Sequence, residues 1–333
     1  MNYYYLVEGD LRNNIGDVLQ GMVAEPFLPN TAEPVDREDT RNIDTKVPGF
    51  LLANGWYMHN FESFPPPENI EPLYISVHIA DSQMLKIKII RDHFKKHAPI
   101  GCRDKKTEKL FLGWGIPAYY SGCLTVTTAQ RAPIKNVTGE ALLVDNVDHK
   151  IPESVKVKIE TLLGKSLTRV SHDPDVTSGD FKDYVEAGKK QMNTLLKRYC
   201  EAEVIITTKI HCTLPCLGMG ANVILIHPNP SDPRLETVRE FMQIYSFAEV
   251  MNLITIKQPE VDHQKLHKRQ SFLAGIARQS VEAGRNIVKY SNEPEFVTLR
   301  KRSERNAKVY RLAVQFMLLF GIKKQQITKV YGK

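Results

Sequence analysis

Short apolar, β-branched runs separated by helix-length stretches restrict this chain more than any other feature. The runs are YYYLV (3–7), FLLAN (50–54), LYISVHI (73–79), PIGC (99–102), ALLVD (141–145), SLTRVS (166–171), EVIITT (203–208) and NVILI (222–226). Helical patterns fall between them, clearest at 81–96, 104–113, 151–163, 180–200 and 233–244. Strands alternating with helices of this length read as βαβ units around parallel sheets, with right-handed crossovers placing helices on both faces. Residues 126–138 (VTTAQRAPIKNVT) have no periodicity and read as a linker between two such sets. The expectation is an α/β fold of two Rossmann-like domains facing a cleft, with C-terminal helices. The first domain is expected over 1–130, the second over 131–262, and the helices with a basic tail over 263–333.

At 333 residues the chain is long enough for two cores. Its N-terminus, MNYYYLVEGD, shows no basic segment followed by an apolar stretch, so no secretory leader is expected. The apolar run from Leu312 to Ile322 is interrupted by Gln315 and is too short to span a bilayer. Five cysteines (Cys102, Cys123, Cys200, Cys212, Cys216) at irregular spacing point to free thiols in a reducing cytoplasm. Charge is concentrated at one end. Residues 299–333 hold ten Lys/Arg against one Glu, a net of +9, while the whole chain is +7, leaving −2 for residues 1–298. A near-neutral body disfavours a nucleic-acid-binding module as the explanation of the whole chain. The sequence has no G-x-G-x-x-G or P-loop lysine motif, which argues against dinucleotide or nucleoside-triphosphate use.

The stretch ITTKIHCTLPCLGMG (206–220) is the most informative. EVIITT suits a central parallel strand, and in such sheets ligands bind beyond the carboxyl ends of the strands. Lys209 and His211 fall at that end. The next helix is expected to begin near Cys212 or Thr213, with Pro215 in its first turn. A helix N-terminus, a cation and an imidazole together favour an anion. The plainer reading is a strand–helix turn with a surface lysine. His211, Cys212 and Cys216 form a single H-C-x-x-x-C group without the second ligand pair of a structural zinc site, so no metal is expected.

A second strand-to-helix junction lies in PIGCRDKKTEKLFLGWGIPAYYSGCLT (99–125). Asp104 reads as a helix N-cap. Arg103 carries the planar fork that suits a carboxylate or phosphate, and a structural ion pair is the competing role. His78 ends a predicted strand, facing a ligand or buried and hydrogen-bonded. Asn54, in ANGWY, either bonds a ligand hydroxyl or forms a turn. Asn14 and Asp17, in N-I-G-D, either bind a ligand or make a plain turn and cap.

These segments resemble the polysaccharide pyruvyl transferase family. The family's G-[VC]-R-D-x-x-[ST]-x-x-x-L-x-x-x-G-I pattern is matched by Gly101-Cys102-Arg103-Asp104, Thr107, Leu110 and Gly115-Ile116. Its [ST]-[RK]-[IL]-H junction is matched by Thr208-Lys209-Ile210-His211, and its opening N-x-G-D by Asn14-Ile15-Gly16-Asp17. The resemblance runs from about residue 10 to 245. Lys209 stands where the usual residue is arginine, keeping the charge without the bidentate fork. Cys123 stands where many members carry aspartate.

The resemblance implies a GT-B-like fold and transfer of pyruvate from phosphoenolpyruvate onto two hydroxyls of a sugar as a ketal. It implies bacterial capsular or exopolysaccharide biosynthesis on a sugar or lipid-linked glycan, with no cofactor beyond the phosphoenolpyruvate donor. By the family pattern Lys209, Arg103, Ile210 and Arg234 would hold the donor. His211 would protonate carbon, with Arg103 beside it. Asn14, Asp17, Asn54 and His78 would face the acceptor. The alternative is a GT-B-type glycosyltransferase using a nucleotide-sugar. For the basic C-terminal segment three readings stand: contact with the inner face of the membrane, packing back on the first domain, or nucleic-acid binding. Lys301, Arg305, Lys308, Arg311 and Gln315 are expected to share one helical face, with Val309, Tyr310, Ala313, Val314, Phe316, Met317 and Phe320 away from it.

Overall fold

The computed structural model describes residues 1–9, 14–44, 46–129, 132, 138–145, 149–173, 175 and 179–319. Phe320 and the tail lysines Lys323, Lys324, Lys329 and Lys333 lie outside the described residues. The chain divides into two compact units. The first comprises Met1–Asp10, Gln20–Leu124 and Ser271–Lys333; the second comprises Leu11–Leu19 and Thr125–Gln270. This grouping differs from the expected bounds at two places. Residues 11–19 group with the second unit, and most of the C-terminal helical region groups with the first.

The helices in chain order are α1 (Ile15–Met22), α2 (Lys88–Lys96), α3 (Lys105–Gly113), α4 (Glu153–Leu163), α5 (Phe181–Glu201), α6 (Ile210–Met219), α7 (Glu236–Arg239), α8 (Phe247–Asn252), α9 (His263–Ala283), α10 (Ile287–Tyr290) and α11 (Pro294–Leu319). The first unit holds a parallel sheet of β1 (Asn2–Val7), β2 (Glu33–Asp36), β3 (Gly49–Tyr57), β4 (Ile70–Ile79), β5 (Ile100–Cys102) and β6 (Ala118–Tyr120). Their spatial order is β2-β1-β3-β4-β5-β6. Both β3 and β4 are almost continuously buried, as a strand covered on both faces must be. Aromatic rings fill the core. Phe64 stacks on Phe94 at 5.3 Å between centroids, and Phe94 meets Phe111 edge-on at 5.0 Å, which joins α2 to α3. Helix α11 lies along α3 and β6, with Ala307 buried in that core and Tyr310 packed against it.

The second unit holds a parallel sheet of β7 (Ala141–Val144), β8 (Leu167–Arg169), β9 (Val204–Thr207) and β10 (Val223–Leu225), in the order β10-β9-β7-β8. Leu143, Ile159, Ile206 and Ile224 centre its core. The chain leaves β7 toward β8 on one side and returns to β9 on the other. A strand order that reverses in this way opens a crevice beyond the carboxyl ends of the two central strands.

All eight expected strands are present, and helices form at 105–113, 153–163 and 181–201 as the periodicity indicated. The expected helix over 81–96 is split at Ile87, whose extended backbone separates a 3-10 turn (Ser82–Lys86) from α2. That over 233–244 shrinks to a 3-10 turn at Pro233–Leu235 and the single turn α7. Helix α6 begins at Ile210, not at Cys212 or Thr213, so Pro215 lies inside the helix rather than in its first turn. Its missing N–H removes only the bond that would run to the His211 carbonyl, close to the helix start.

The small-residue character of α6 has a steric cause at Gly218. A Cβ there would lie 2.4 Å from the Val126 carbonyl oxygen and 3.1 Å from that of Thr128. Alanine is favoured over glycine in a helix by about 1 kcal/mol, so a net loss isolates this close approach. Gly218→Ala is expected to lower stability by roughly 2 kcal/mol or more, in the range of core overpacking, measured by urea denaturation.

Candidate functional site

The second unit brings two distant sequence motifs together. Strand β9 ends at Thr207, whose hydroxyl donates to the Val144 carbonyl at 2.6 Å and accepts from the Lys209 N–H at 3.0 Å. This fixes the turn out of the strand. Lys209 then occupies the N-cap position of α6 with no side-chain cap, and Thr213 Oγ1 donates back to its carbonyl at 2.9 Å. The first N–H groups of α6, on Ile210 and His211, are those a helix cannot satisfy within itself. The lysine, these donors and the His211 ring therefore stand at the carboxyl end of β9, beside the strand-order reversal.

Asn14, at the start of α1, reaches the same place. Its Oδ1 accepts from Lys209 Nζ at 3.4 Å and from the Gly16 N–H at 3.2 Å, while its Nδ2 donates to Asp17 Oδ2 at 3.2 Å. Gly16 is glycine for a visible reason. A Cβ there would lie 3.0 Å from the Cβ of His211 and 3.2 Å from its Nδ1. The N-x-G-D segment is thus the wall against which the imidazole rests. Asn14 and Asp17, expected with the first domain, group with Lys209 in the second unit.

Burial lowers the Lys209 ammonium below its ordinary value, opposed by the charges of Asp173, Asp17 and Asp145. Asp145 is itself held by Arg169 and by the Ile151 N–H at 3.0 Å. His172, which the sequence reading missed, is fully buried next to this lysine. Its ring pairs with the Tyr199 hydroxyl at 2.6 Å, and its carbonyl accepts the Ile15 N–H at 2.9 Å, anchoring α1. Burial, with the Lys209 charge second, pushes His172 down to about 3, so it stays neutral. Arg234, on the 3-10 turn Pro233–Leu235, pairs its guanidinium with Asp232 at 2.8 Å. Cys212 and Cys216 are buried free thiols on α6.

The first unit carries Arg103, His78 and Asn54. His78 Nδ1 sits 2.6 Å from Asp104 Oδ2, and Asp104 caps α3 by accepting the Thr107 N–H at 2.8 Å. Burial alone would raise the Asp104 carboxyl. The His78 contact, the Arg103 charge and the Thr107 N–H outweigh it and hold the carboxyl below the usual range.

Two buried arginines in this unit differ instructively. Arg37 is ion-paired with Glu8, contacts Glu38 at 3.5 Å, and lies over the Trp56 ring at 5.3 Å. Arg103 is equally buried, yet its Nε has no hydrogen-bond partner among the described residues and no carboxylate there pairs with it. A buried guanidinium that no carboxylate pairs with directly is costly to hold in a protein.

Asn54 donates to the Gln20 carbonyl at 2.7 Å, but its Oδ1 is buried without a partner among the described residues. So is the hydroxyl of Ser76, which holds a φ of +58° where the pairing of β3 and β4 shifts register. Non-glycine residues adopt that conformation at a cost of about 1–3 kcal/mol, and such strain concentrates at functional sites. Ser76 carried no signal in the sequence, since YISVHI reads as uninterrupted strand.

A model of the polysaccharide pyruvyl transferase family matches residues 14–230, a span that opens at Asn14 and contains Arg103, Lys209 and His211. No curated protein matches the sequence. Among solved structures, a histidine-substituted variant of the wall teichoic acid polymerase TagF is similar at 9% identity with a TM-score of 0.37, covering 96% of this chain and 90% of that one. A second such variant gives 8% identity and a TM-score of 0.36, covering 95% and 90%.

Two outcomes follow from this geometry. Gly16→Ala is expected to displace the His211 ring and lower turnover at least tenfold while thermal stability changes little; unchanged turnover would remove the contact from any working role. Asp104→Asn keeps the cap but loses the charge facing His78. Because the folded carboxyl lies below its unfolded value, the stability it contributes is full above about pH 4 and is lost as pH falls through the folded value. The variant is therefore expected to be about 1–2 kcal/mol less stable at pH 7, with the gap closing below about pH 4 in denaturation curves.

Proposed function

The chain belongs to the polysaccharide pyruvyl transferase family, and from that premise we propose that it moves pyruvate from phosphoenolpyruvate onto two hydroxyls of a sugar as a ketal. The setting proposed is bacterial capsular or exopolysaccharide biosynthesis. The observation that carries this reading is the meeting of two family motifs in the second unit. Lys209 touches Asn14, and His211 rests against Gly16 at the start of α6.

The donor presents a phosphate and a carboxylate. Lys209 and the first N–H groups of α6, including that of Ile210, supply a point charge and fixed donors for one of them. The family pattern assigns Arg103 to the donor as well, and a buried guanidinium with no directly paired carboxylate among the described residues suits that role. His211 delivers a proton to the methylene carbon, which leaves C2 electrophilic. A sugar hydroxyl adds to C2 and its proton restores the imidazole. The C2–O bond to phosphate then breaks, and the second hydroxyl adds to C2 and closes the ketal, its proton passing to the departing phosphate. One phosphate leaves for each pyruvate transferred. Asn54, whose carbonyl oxygen has no partner among the described residues, and His78 remain the acceptor candidates of the first unit.

Phosphate release from phosphoenolpyruvate across a panel of soluble and lipid-linked glycans tests the reaction. With an acceptor in hand, His211→Gln is expected to lower kcat by about 10²–10⁴-fold with Kd for the donor nearly unchanged. Lys209→Ala is expected to weaken donor binding about 10- to 100-fold in calorimetry, the loss of one charge-assisted contact. Binding of a nucleoside diphosphate in place of phosphoenolpyruvate would overturn the reading in favour of a glycosyltransferase.

A further inference from the structure

Helix α11 carries two faces with opposite partners. Ala307, Tyr310 and Val314 turn inward. Ala307 is buried in the first unit's core with Tyr310 packed on it, and Val314 reaches to within 3.9 Å of where a Cβ on Gly113 would stand. Part of the stretch read in the sequence as one apolar surface is therefore committed to packing on α3. The opposite face is different. Val309, Leu312, Phe316 and Leu319 recur at three- and four-residue steps and are 58%, 64%, 61% and 84% exposed. The same line continues toward the N-terminus as Arg302 and Arg305, with Lys301 and Lys308 flanking it, all exposed. Other exposed apolar side chains, such as Ile89, Val157 and Ile254, lie elsewhere in the chain and do not extend this line.

We propose that this outer face of α11 docks on an anionic lipid bilayer, lying in the plane of the interface. An apolar line running out of a basic one matches a surface that is hydrocarbon beneath and phosphate above. Nucleic acid would engage the cations and leave Leu312, Phe316 and Leu319 in water. A second copy of the helix fits poorly, because residues 299–319 hold six Lys/Arg against one Glu and would meet their like. No described helix is long and apolar enough to cross a membrane, so the contact is with the surface only. The inner face stays packed on α3 throughout, so docking needs no rearrangement of the unit. The inference rests on the helix alone and stands or falls apart from the reaction proposed above.

Flotation of the full chain with vesicles of phosphatidylglycerol and phosphatidylcholine, or of phosphatidylcholine alone, tests it. The protein is expected to float with the anionic vesicles at low salt, and at least tenfold less at high salt or with neutral vesicles. Leu312→Glu with Phe316→Glu is expected to abolish flotation while the melting temperature holds, since both positions are exposed. Arg302→Glu with Arg305→Glu is expected to lower it at least tenfold. Absence of flotation with anionic vesicles at low salt overturns the proposal. So does flotation that survives the Leu312/Phe316 change, which would assign binding to other cations of the chain. Concentration-dependent dimerisation lost in that variant, without vesicle binding by the wild type, would give the face to a second copy and equally overturn it.

Discussion

Parallel pairing throughout both sheets sends every strand of a unit to finish at the same edge, and the candidate chemistry depends on that one constraint. In the second unit the reversal of strand order between β7 and β9 keeps the crossover helices from covering the space beyond those two strand ends. What fills that edge is whatever the chain carries immediately after each strand. After β9 this is Lys209, Ile210 and His211, and after β7 it is Asp145. The Thr207 hydroxyl, bonded at once to Val144 and to the Lys209 N–H, ties the two strand ends and the turn into one rigid piece. Lys209 thus owes its position to backbone geometry before any charge interaction acts on it.

The same edge shows how a cation is kept ready without being neutralised. No carboxylate pairs directly with Lys209 among the described residues; Asn14 offers an amide oxygen instead. Asp173, Asp17 and Asp145 act through their charges, opposing the burial that lowers the amine. A direct ion pair would hold the charge more firmly, but an arriving anion would then have to displace it. Arg37 and Arg103 repeat the contrast in the first unit, one wrapped by Glu8 and Glu38, the other with no directly paired carboxylate among the described residues.

Much of this was legible in the residue pattern, and the rest was not for identifiable reasons. The β-branched EVIITT run announced β9, and strand-end logic then placed Lys209 and His211 correctly at its carboxyl end. β2 was invisible because EPVD is a short, polar edge strand containing proline, paired on one side only. α1 was invisible because Asn14-Ile15-Gly16-Asp17 has the composition of a turn, and its helix is set by the Ile15–His172 bond, a contact between residues far apart in the sequence. The start of α6 was misplaced because Pro215 was taken as a first-turn signal, whereas its lost bond falls on a carbonyl near the helix start. Ser76 and the Arg103–Arg37 contrast depend on backbone dihedrals and on counting partners, which no single-residue signal encodes.

The excursion of residues 14–19 into the second unit has a consequence for anyone who would treat the halves as interchangeable parts. A chimera joined at the 125–130 segment would inherit β7 to β10 from one parent and α1 from the other. The Val18 side chain fits the notch left by Gly188, whose missing Cβ would stand 2.9 Å from it. Gly16 fits His211 in the same manner. Recombination at that segment would therefore pair mismatched halves of two interlocking contacts. Modular exchange has to carry residues 11–19 along with the second unit or repair both notches at once.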